Sequence, residues 1–192
     1  MDAHAHAAAA AEPTTRRKIQ NFLVFQLAWA AAVIGAARGL PWLGTATVVA
    51  AVAWHLMTVA APPAEARLVG IVTLIGLAFE TLRVQLGDVA YPSGQPIAML
   101  PPHWLVALWS LLAITLNLSL RWLKRHLAMA ALLGALGGPL SFVAGTRLGG
   151  ARFVDAQSAL VTLAVGWCIL TPALALLARR FDGVVPREAS HG

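Results

Sequence analysis

The chain has 192 residues, of which 59% are hydrophobic and 11% are charged, whereas about a quarter of the residues in a soluble domain are charged. A soluble domain of this size cannot bury so much apolar surface, so the composition excludes that class. The formal charge of +6 comes from bases at the ends of apolar runs, not from a basic patch with interleaved aromatic residues, so we expect no nucleic-acid partner.

The first segment is rich in alanine, carries His4 and His6, and ends in the basic triplet 16–18. The apolar run that follows is long enough to span a membrane and lacks the layout of a cleaved signal peptide. We therefore predict that residues 1–18 form a disordered cytoplasmic tail. Two histidines on such a tail are typically solvated, and we expect neither a metal nor a cofactor in this chain.

Six apolar runs of about 20 residues follow, and each is long enough to cross a hydrocarbon core about 30 Å thick. Charges or Pro/Gly breaks separate them. The sequence therefore predicts an all-α membrane protein, a six-transmembrane helix bundle with short loops over residues 19–180, followed by a cytoplasmic C-terminal tail at 181–192. The predicted spans are Ile19–Arg38, Trp42–Ala60, Ala66–Gly87, His103–Leu120, Leu127–Gly145 and Gln157–Ala178.

The distribution of basic residues predicts the orientation, because short cytoplasmic loops retain Lys and Arg. With six spans and the N-terminus inside, the opposite side keeps only Arg38, Arg147 and Arg152. We expect a bacterial inner-membrane protein with both termini in the cytoplasm and with membrane lipids as partners. The bases on the cytoplasmic side are Arg16, Arg17, Lys18, Arg67, Arg121, Lys124, Arg125, Arg179, Arg180 and Arg187.

Glu80 and Arg83 in the third span are the most informative residues, because an ionisable side chain in hydrocarbon costs at least a few kcal/mol and persists when it is paired or functional. At spacing i, i+3 they share one helix face. Arg38 and Ser141 lie at similar depth, which suggests a net-positive pocket for an anionic headgroup. The alternative is a salt bridge that only fixes helix packing.

A second polar set lies in the inner halves of the spans, where Asn and Gln commonly bond across helices. Asn117 is the member that we add to the ligand-binding candidates. His55 is a candidate acid or base only if it lies beside Asn117 and a carboxylate. The full set is Gln26, His55, Asn117, Ser119 and Thr171.

The fifth span is the weakest, because it contains the Gly-Gly-Pro step at 137–139, and a five-span chain is the alternative. We expect the step to kink or locally break the helix. The spacing of Gly134 and Gly138 favours close packing against another helix over a substrate-lining role. The long loop at 88–102 is a candidate lid, but it holds no Gly-x-Ser-x-Gly elbow, so a serine hydrolase is not supported.

Six segments carry a resemblance to a known family, namely Asn21–Gln26 with Trp29, Tyr91–Gly94, Trp104–Ser119, Gly134–Ser141, Gly166–Trp167 and Thr171–Pro172. Together they resemble the bacterial membrane-protein family named domain of unknown function 2878. One departure is Leu118, where many relatives carry His after the Asn. The resemblance implies no established activity, but members are often encoded beside methyltransferases similar to cyclopropane-fatty-acid synthases, which suggests a lipid-related role.

Three functions remain open. The leading hypothesis is a membrane protein that binds or moves a lipid-like or anionic amphipathic molecule through Glu80, Arg83, Arg38, Asn117 and Ser141. The second is an accessory or scaffold subunit for a membrane lipid-modifying enzyme. The third is an intramembrane enzyme, which we favour least because its candidate catalytic residues are scattered. The oligomeric state is open as well.

Overall fold

A computed structural model describes residues 12–185, and within them the chain forms six α-helices. A short 3₁₀ helix, Arg121–Arg125, precedes the fifth. Two two-residue strands, β1 (Val89–Ala90) and β2 (Arg152–Phe153), pair antiparallel. The helices are α1 (Thr15–Ala37), α2 (Pro41–Thr58), α3 (Pro62–Leu86), α4 (His103–Leu116), α5 (Leu127–Arg147) and α6 (Ala156–Arg180).

Local chemistry sets the helix ends. The Thr14 hydroxyl accepts a hydrogen bond from the Arg17 N–H, and the Asp155 carboxylate accepts from two amides in the first turn of α6. Pro41 and Pro62 open α2 and α3, where a missing N–H costs nothing. Gly87, at φ +71°, ends α3 in the left-handed conformation.

The described residues cover only part of the predicted tails. Helix α1 begins at Thr15, inside the segment predicted as a tail, and residues 181–185 pack against the bundle. His4 and His6, like residues 186–192, lie outside the described residues.

Four helices are long and apolar enough to cross a membrane, namely α1, α3, α5 and α6. Helix α4 has 14 residues and is about 21 Å long, which is shorter than a hydrocarbon core. Helix α2 has 18 residues and includes the buried His55. Length and composition therefore support four of the six predicted spans.

Helix α4 lies at the centre of the bundle. It packs against α1, α2 and α3, while α1 also packs against α2, and α5 packs mainly against α6. Most of its residues are buried, from Trp104 to Leu116. The other helices expose large apolar side chains, such as Leu27 and Met57, as a surface that faces hydrocarbon requires.

The helices alternate in direction between two ends. At one, which we name the Glu65 end, Arg17 donates to the Thr58 carbonyl and Ala61 donates to the Gly183 carbonyl. At the other, the Asp88 end, the Ser93 hydroxyl donates to the Ala36 carbonyl. Strands β1 and β2 also meet at the Asp88 end.

Helix α5 continues from Leu127 to Arg147 with Pro139 inside it, so the Gly-Gly-Pro step does not break the helix. A Cβ at Gly138 would lie 2.3 Å from the Trp167 ring, and one at Gly134 would lie 2.2 Å from the Trp167 carbonyl oxygen. Close packing of α5 on α6 therefore accounts for both glycines.

Candidate functional site

Glu80 and Arg83 lie together on α3 and are buried, as their spacing predicts. Arg83 Nη1 is 3.8 Å from Glu80 Oε2, while Arg83 Nη2 donates to Asp88 Oδ1 at 3.2 Å. The guanidinium carbon of Arg83 lies 4.7 Å from the centre of the Phe142 ring. Arg83 is thus directed toward Asp88 and α5.

Two hydrogen bonds connect this group to neighbouring helices. The Trp109 indole N–H on α4 donates to Glu80 Oε1 at 3.3 Å, and the Thr162 hydroxyl on α6 donates to Asp88 Oδ2 at 3.0 Å. Glu80 Oε2 has no hydrogen-bond partner among the described residues. The packing role therefore explains Asp88, but among the described residues it leaves one oxygen of Glu80 and two guanidinium nitrogens of Arg83, Nε and Nη1, without hydrogen bonds.

Glu80 lines a cavity of about 430 Å³ between α1, α4, α5 and α6. Its walls are mostly apolar, and Glu80 is the only charged residue among the described residues that line it. Trp167, whose indole N–H also lacks a hydrogen-bond partner in the described chain, stacks on Trp109 with ring centres 4.8 Å apart. The aromatic walls consist of Phe25, Trp29, Tyr91, Trp104, Trp109, Phe142 and Trp167.

The cavity reaches the surface of the bundle between α1 and α5. Gln26 on α1 and Leu140 and Ser141 on α5 line it and are exposed. Helices α1 and α5 pack mainly on other partners, so their facing sides leave a gap. All three residues lie well inside their helices, which places the opening on the lateral face of the bundle.

At the Asp88 end the loop at 88–102 covers the cavity. Tyr91 contributes to the cavity wall and packs edge-on to Trp104. The Trp104 indole N–H donates to the Ser93 carbonyl, and the His103 N–H donates to the Gly94 carbonyl, so the loop is fixed to α4.

Arg83 pairs with Asp88 and is not among the described residues that line the cavity. Arg38 is exposed at the turn after α1 and is not part of the wall. Ser141 is part of the wall, and its hydroxyl donates to the Gly138 carbonyl.

Asn117 belongs to a different cluster, at the Glu65 end, where it donates to Glu65 Oε1 at 2.7 Å. Glu65 lies fifteen residues before Glu80 on α3, or about 22 Å along the helix axis. The structure therefore places Glu80 and Ser141 on the wall of one cavity, with Arg83 beside Glu80. Asn117 lies at the other end of the bundle.

Glu65 is the centre of the second cluster. Its Oε2 lies 2.9 Å from His55 Nε2, and its Oε1 accepts from both Asn117 and the Gly183 N–H. Lys124 donates from Nζ to the Asn117 side-chain oxygen at 2.6 Å. The cluster joins α2, α3, the turn after α4, the 3₁₀ helix and the chain after α6.

Asp182 closes this cluster by pairing with Lys124 at 2.9 Å and with Arg121. Burial lowers the pKa of Lys124, although Asp182 opposes that effect. Burial alone would raise the pKa of Asp182, but the hydrogen bond and charge of Lys124, together with Arg121, hold that pKa below its ordinary value.

The condition for an intramembrane acid/base site is met geometrically, since His55 and Asn117 share the carboxylate of Glu65. However, all three residues are fully buried and none lines the cavity. Their polar groups mainly bond one another, as in a cluster that holds helices together.

Sequence reasoning missed Glu65 and Asp88 because both were assigned to breaks between spans. The prolines at 62 and 63 are typical of a break between spans, but Pro at the first helical position is also a helix-start signal. That signal would have placed Glu65 within α3. Asp88 follows a C-terminal glycine, and no local pattern indicates that it folds back onto Arg83.

The described residues form a helical bundle in which four helices are long and apolar enough to cross a membrane, and this bundle contains an aromatic cavity lined by the carboxylate of Glu80. The sequence model of the family described as protein of unknown function (DUF2878) matches residues 18–173, which is most of the chain. The chain belongs to this family, and the resemblance drawn from its motifs is confirmed. Comparisons with curated proteins and with solved structures found no match.

Proposed function

We propose that the protein binds a lipid-like amphipathic molecule in the cavity between α1 and α5. The observation that carries this proposal is the cavity of about 430 Å³ with apolar walls and the Glu80 carboxylate. Small-molecule sites are typically concave and mostly apolar with a few placed polar groups. An ionisable group inside a membrane bundle typically marks a ligand path when packing does not use all of its bonds.

The lateral opening supports entry from the bilayer. Gln26 and Ser141 stand at the opening, and exposed apolar side chains such as Leu27 and Leu140 flank it. In a bilayer this face meets acyl chains. The apolar part of the ligand then enters between the two helices, and its polar part meets Glu80.

The orientation is part of the proposal. All six helices span a bacterial inner membrane, with α2 and α4 completing the bundle and the Glu65 end in the cytoplasm. With Cys168→Ser as the background, a cysteine at the exposed Leu40 should react with an impermeant maleimide on intact cells. A cysteine at the exposed Trp122 should react only after permeabilisation, and the reverse pattern would reject this orientation.

A cavity-filling variant with a matched control tests the binding proposal. A Cβ at either Gly145 or Gly137 meets nothing within 4 Å, but Gly145 lines the cavity and Gly137 is exposed. Gly145→Leu should therefore fill the cavity, and Gly137→Leu should not. Both keep α5 intact, because Leu is a better helix former than Gly.

The measurement is native mass spectrometry with lipid extraction on wild type and both variants, at equal monodispersity and unfolding temperature. We expect a defined amphipathic compound to be retained by wild type and Gly137→Leu and lost from Gly145→Leu. Equal retention by all three, or none by wild type, would reject the cavity as a binding site. A lipid-modifying enzyme that co-purifies with all three would then favour the accessory-subunit alternative.

A further inference from the structure

The charges around the cavity do not balance. Glu80, Arg83 and Asp88 are buried together, so two acids share one base and the ionised group has a net charge of −1. Arg83 hydrogen-bonds Asp88 at 3.2 Å but lies 3.8 Å from Glu80, too far for a hydrogen bond. Of the two acids, Glu80 is therefore the one that Arg83 pairs with by charge alone, without a hydrogen bond.

The Glu80 carboxylate faces the cavity, since Glu80 is the only charged residue among those lining it and its Oε2 has no hydrogen-bond partner in residues 12–185. A buried carboxylate oxygen without a hydrogen bond is costly, and an added opposite charge or hydrogen-bond donor lowers that cost. A ligand in the cavity can supply either.

The surrounding rings favour a positive charge as well. Trp109 donates to Glu80 and stacks on Trp167, and Tyr91 and Trp104 line the cavity too. Indole and phenol faces attract cations, most strongly where water is excluded. An anion would instead meet Glu80, because Arg83 is buried and does not line the cavity.

The geometry points to a cationic amphiphile, an alkylated amine or ammonium, as the ligand class, with its positive group held by Glu80 among the tryptophan rings. This inference rests on the proposed function and replaces the anionic headgroup expected from Arg83 and Arg38. The apolar chain of the ligand lies toward the opening between α1 and α5.

Three probes of equal chain length test the inference, namely octyltrimethylammonium, octanol and octanoate. Binding to the purified full-length protein is followed by tryptophan fluorescence, since four tryptophans line the cavity. We expect the ammonium to bind about tenfold more tightly than octanoate, with octanol between them. Octanoate binding as tightly as the ammonium would overturn the inference.

Glu80→Gln should remove most of the preference, because it removes the charge and keeps the shape. Glu12→Gln, which removes an exposed acid at the Glu65 end, should keep the preference. If Glu80→Gln kept the full preference for the ammonium over octanoate, that result would also overturn the inference. If Glu80→Gln does not fold, the order of the three probes on wild type decides alone.

The two proposals fail in different ways. If all three probes bind wild type equally and Gly145→Leu abolishes binding, the cavity is a binding site and the cationic ligand is wrong. If no probe binds wild type, the inference of a cationic ligand is rejected. Whether wild type retains an amphipathic compound in the mass-spectrometry comparison then decides whether the proposed function is rejected too.

Discussion

At the scale of single residues, removal of Glu65 takes a bonding partner away from His55, Asn117 and the Gly183 N–H. Glu65 accepts from Asn117 and Gly183 and pairs with His55, and it is fully buried. Glu65→Ala should lower the free energy of unfolding by about 3–5 kcal/mol, because it strands these buried groups. Chemical unfolding in detergent measures the loss.

Glu65→Gln should cost less than Glu65→Ala, since the amide oxygen still accepts hydrogen bonds. Gln85→Ala, an exposed change on the same helix, serves as the control and should change the unfolding free energy by no more than about 0.5 kcal/mol. Equal stability of Glu65→Ala and wild type would contradict the role assigned to this cluster.

Asp182 makes stability depend on pH in the acid range. Its pKa in the folded protein is below the ordinary value of 3.8. The contribution of Asp182 to the free energy of unfolding is therefore present above pH 3.8 and is lost as the pH falls through the folded pKa. Lys124 stays protonated in the folded and the unfolded protein over this pH range, so it does not contribute to the pH dependence of stability. Between about pH 6 and pH 3 the unfolding temperature of wild type should fall more than that of Asp182→Asn. Parallel curves would contradict the prediction.

At the scale of the elements, the sequence predicted the helices well because each helix coincides with a long apolar run. Each predicted span overlaps one helix, and Pro or Gly marks most of the boundaries. The fourth span was predicted too long. Helix α4 ends at Leu116, and Asn117 then bonds to Glu65, a partner 52 residues away that no local pattern reveals.

Helix α5 carries a prediction about packing. A Cβ at Gly138 would overlap the Trp167 ring, whereas one at Gly137 meets nothing within 4 Å. Gly138→Ala should therefore lower the free energy of unfolding by about 1–3 kcal/mol through overpacking. Gly137→Ala is the matched control and should be neutral or stabilising. Equal loss in both variants would show that helix flexibility, and not the contact with Trp167, requires the glycine.

At the scale of the whole molecule, the cavity was not predictable from the sequence. Glu80, Arg83 and Ser141 were identified because polar residues are costly in an apolar span. Their roles depend on long-range geometry, namely the turn of Asp88 toward Arg83 and the gap between α1 and α5. Residue spacing along one helix contains neither of these two facts.

The central claim is that an amphipathic molecule enters the cavity between α1 and α5. The most direct measurement is photo-crosslinking of the full-length protein in lipid nanodiscs with an alkyl ammonium that carries a diazirine on its chain. We predict that labelled peptides map to cavity residues 25–33 and 140–145, and that Gly145→Leu loses this labelling while Gly137→Leu keeps it. Labelling only at outward-facing positions such as Leu74 and Ile169, unchanged in Gly145→Leu, would contradict the claim.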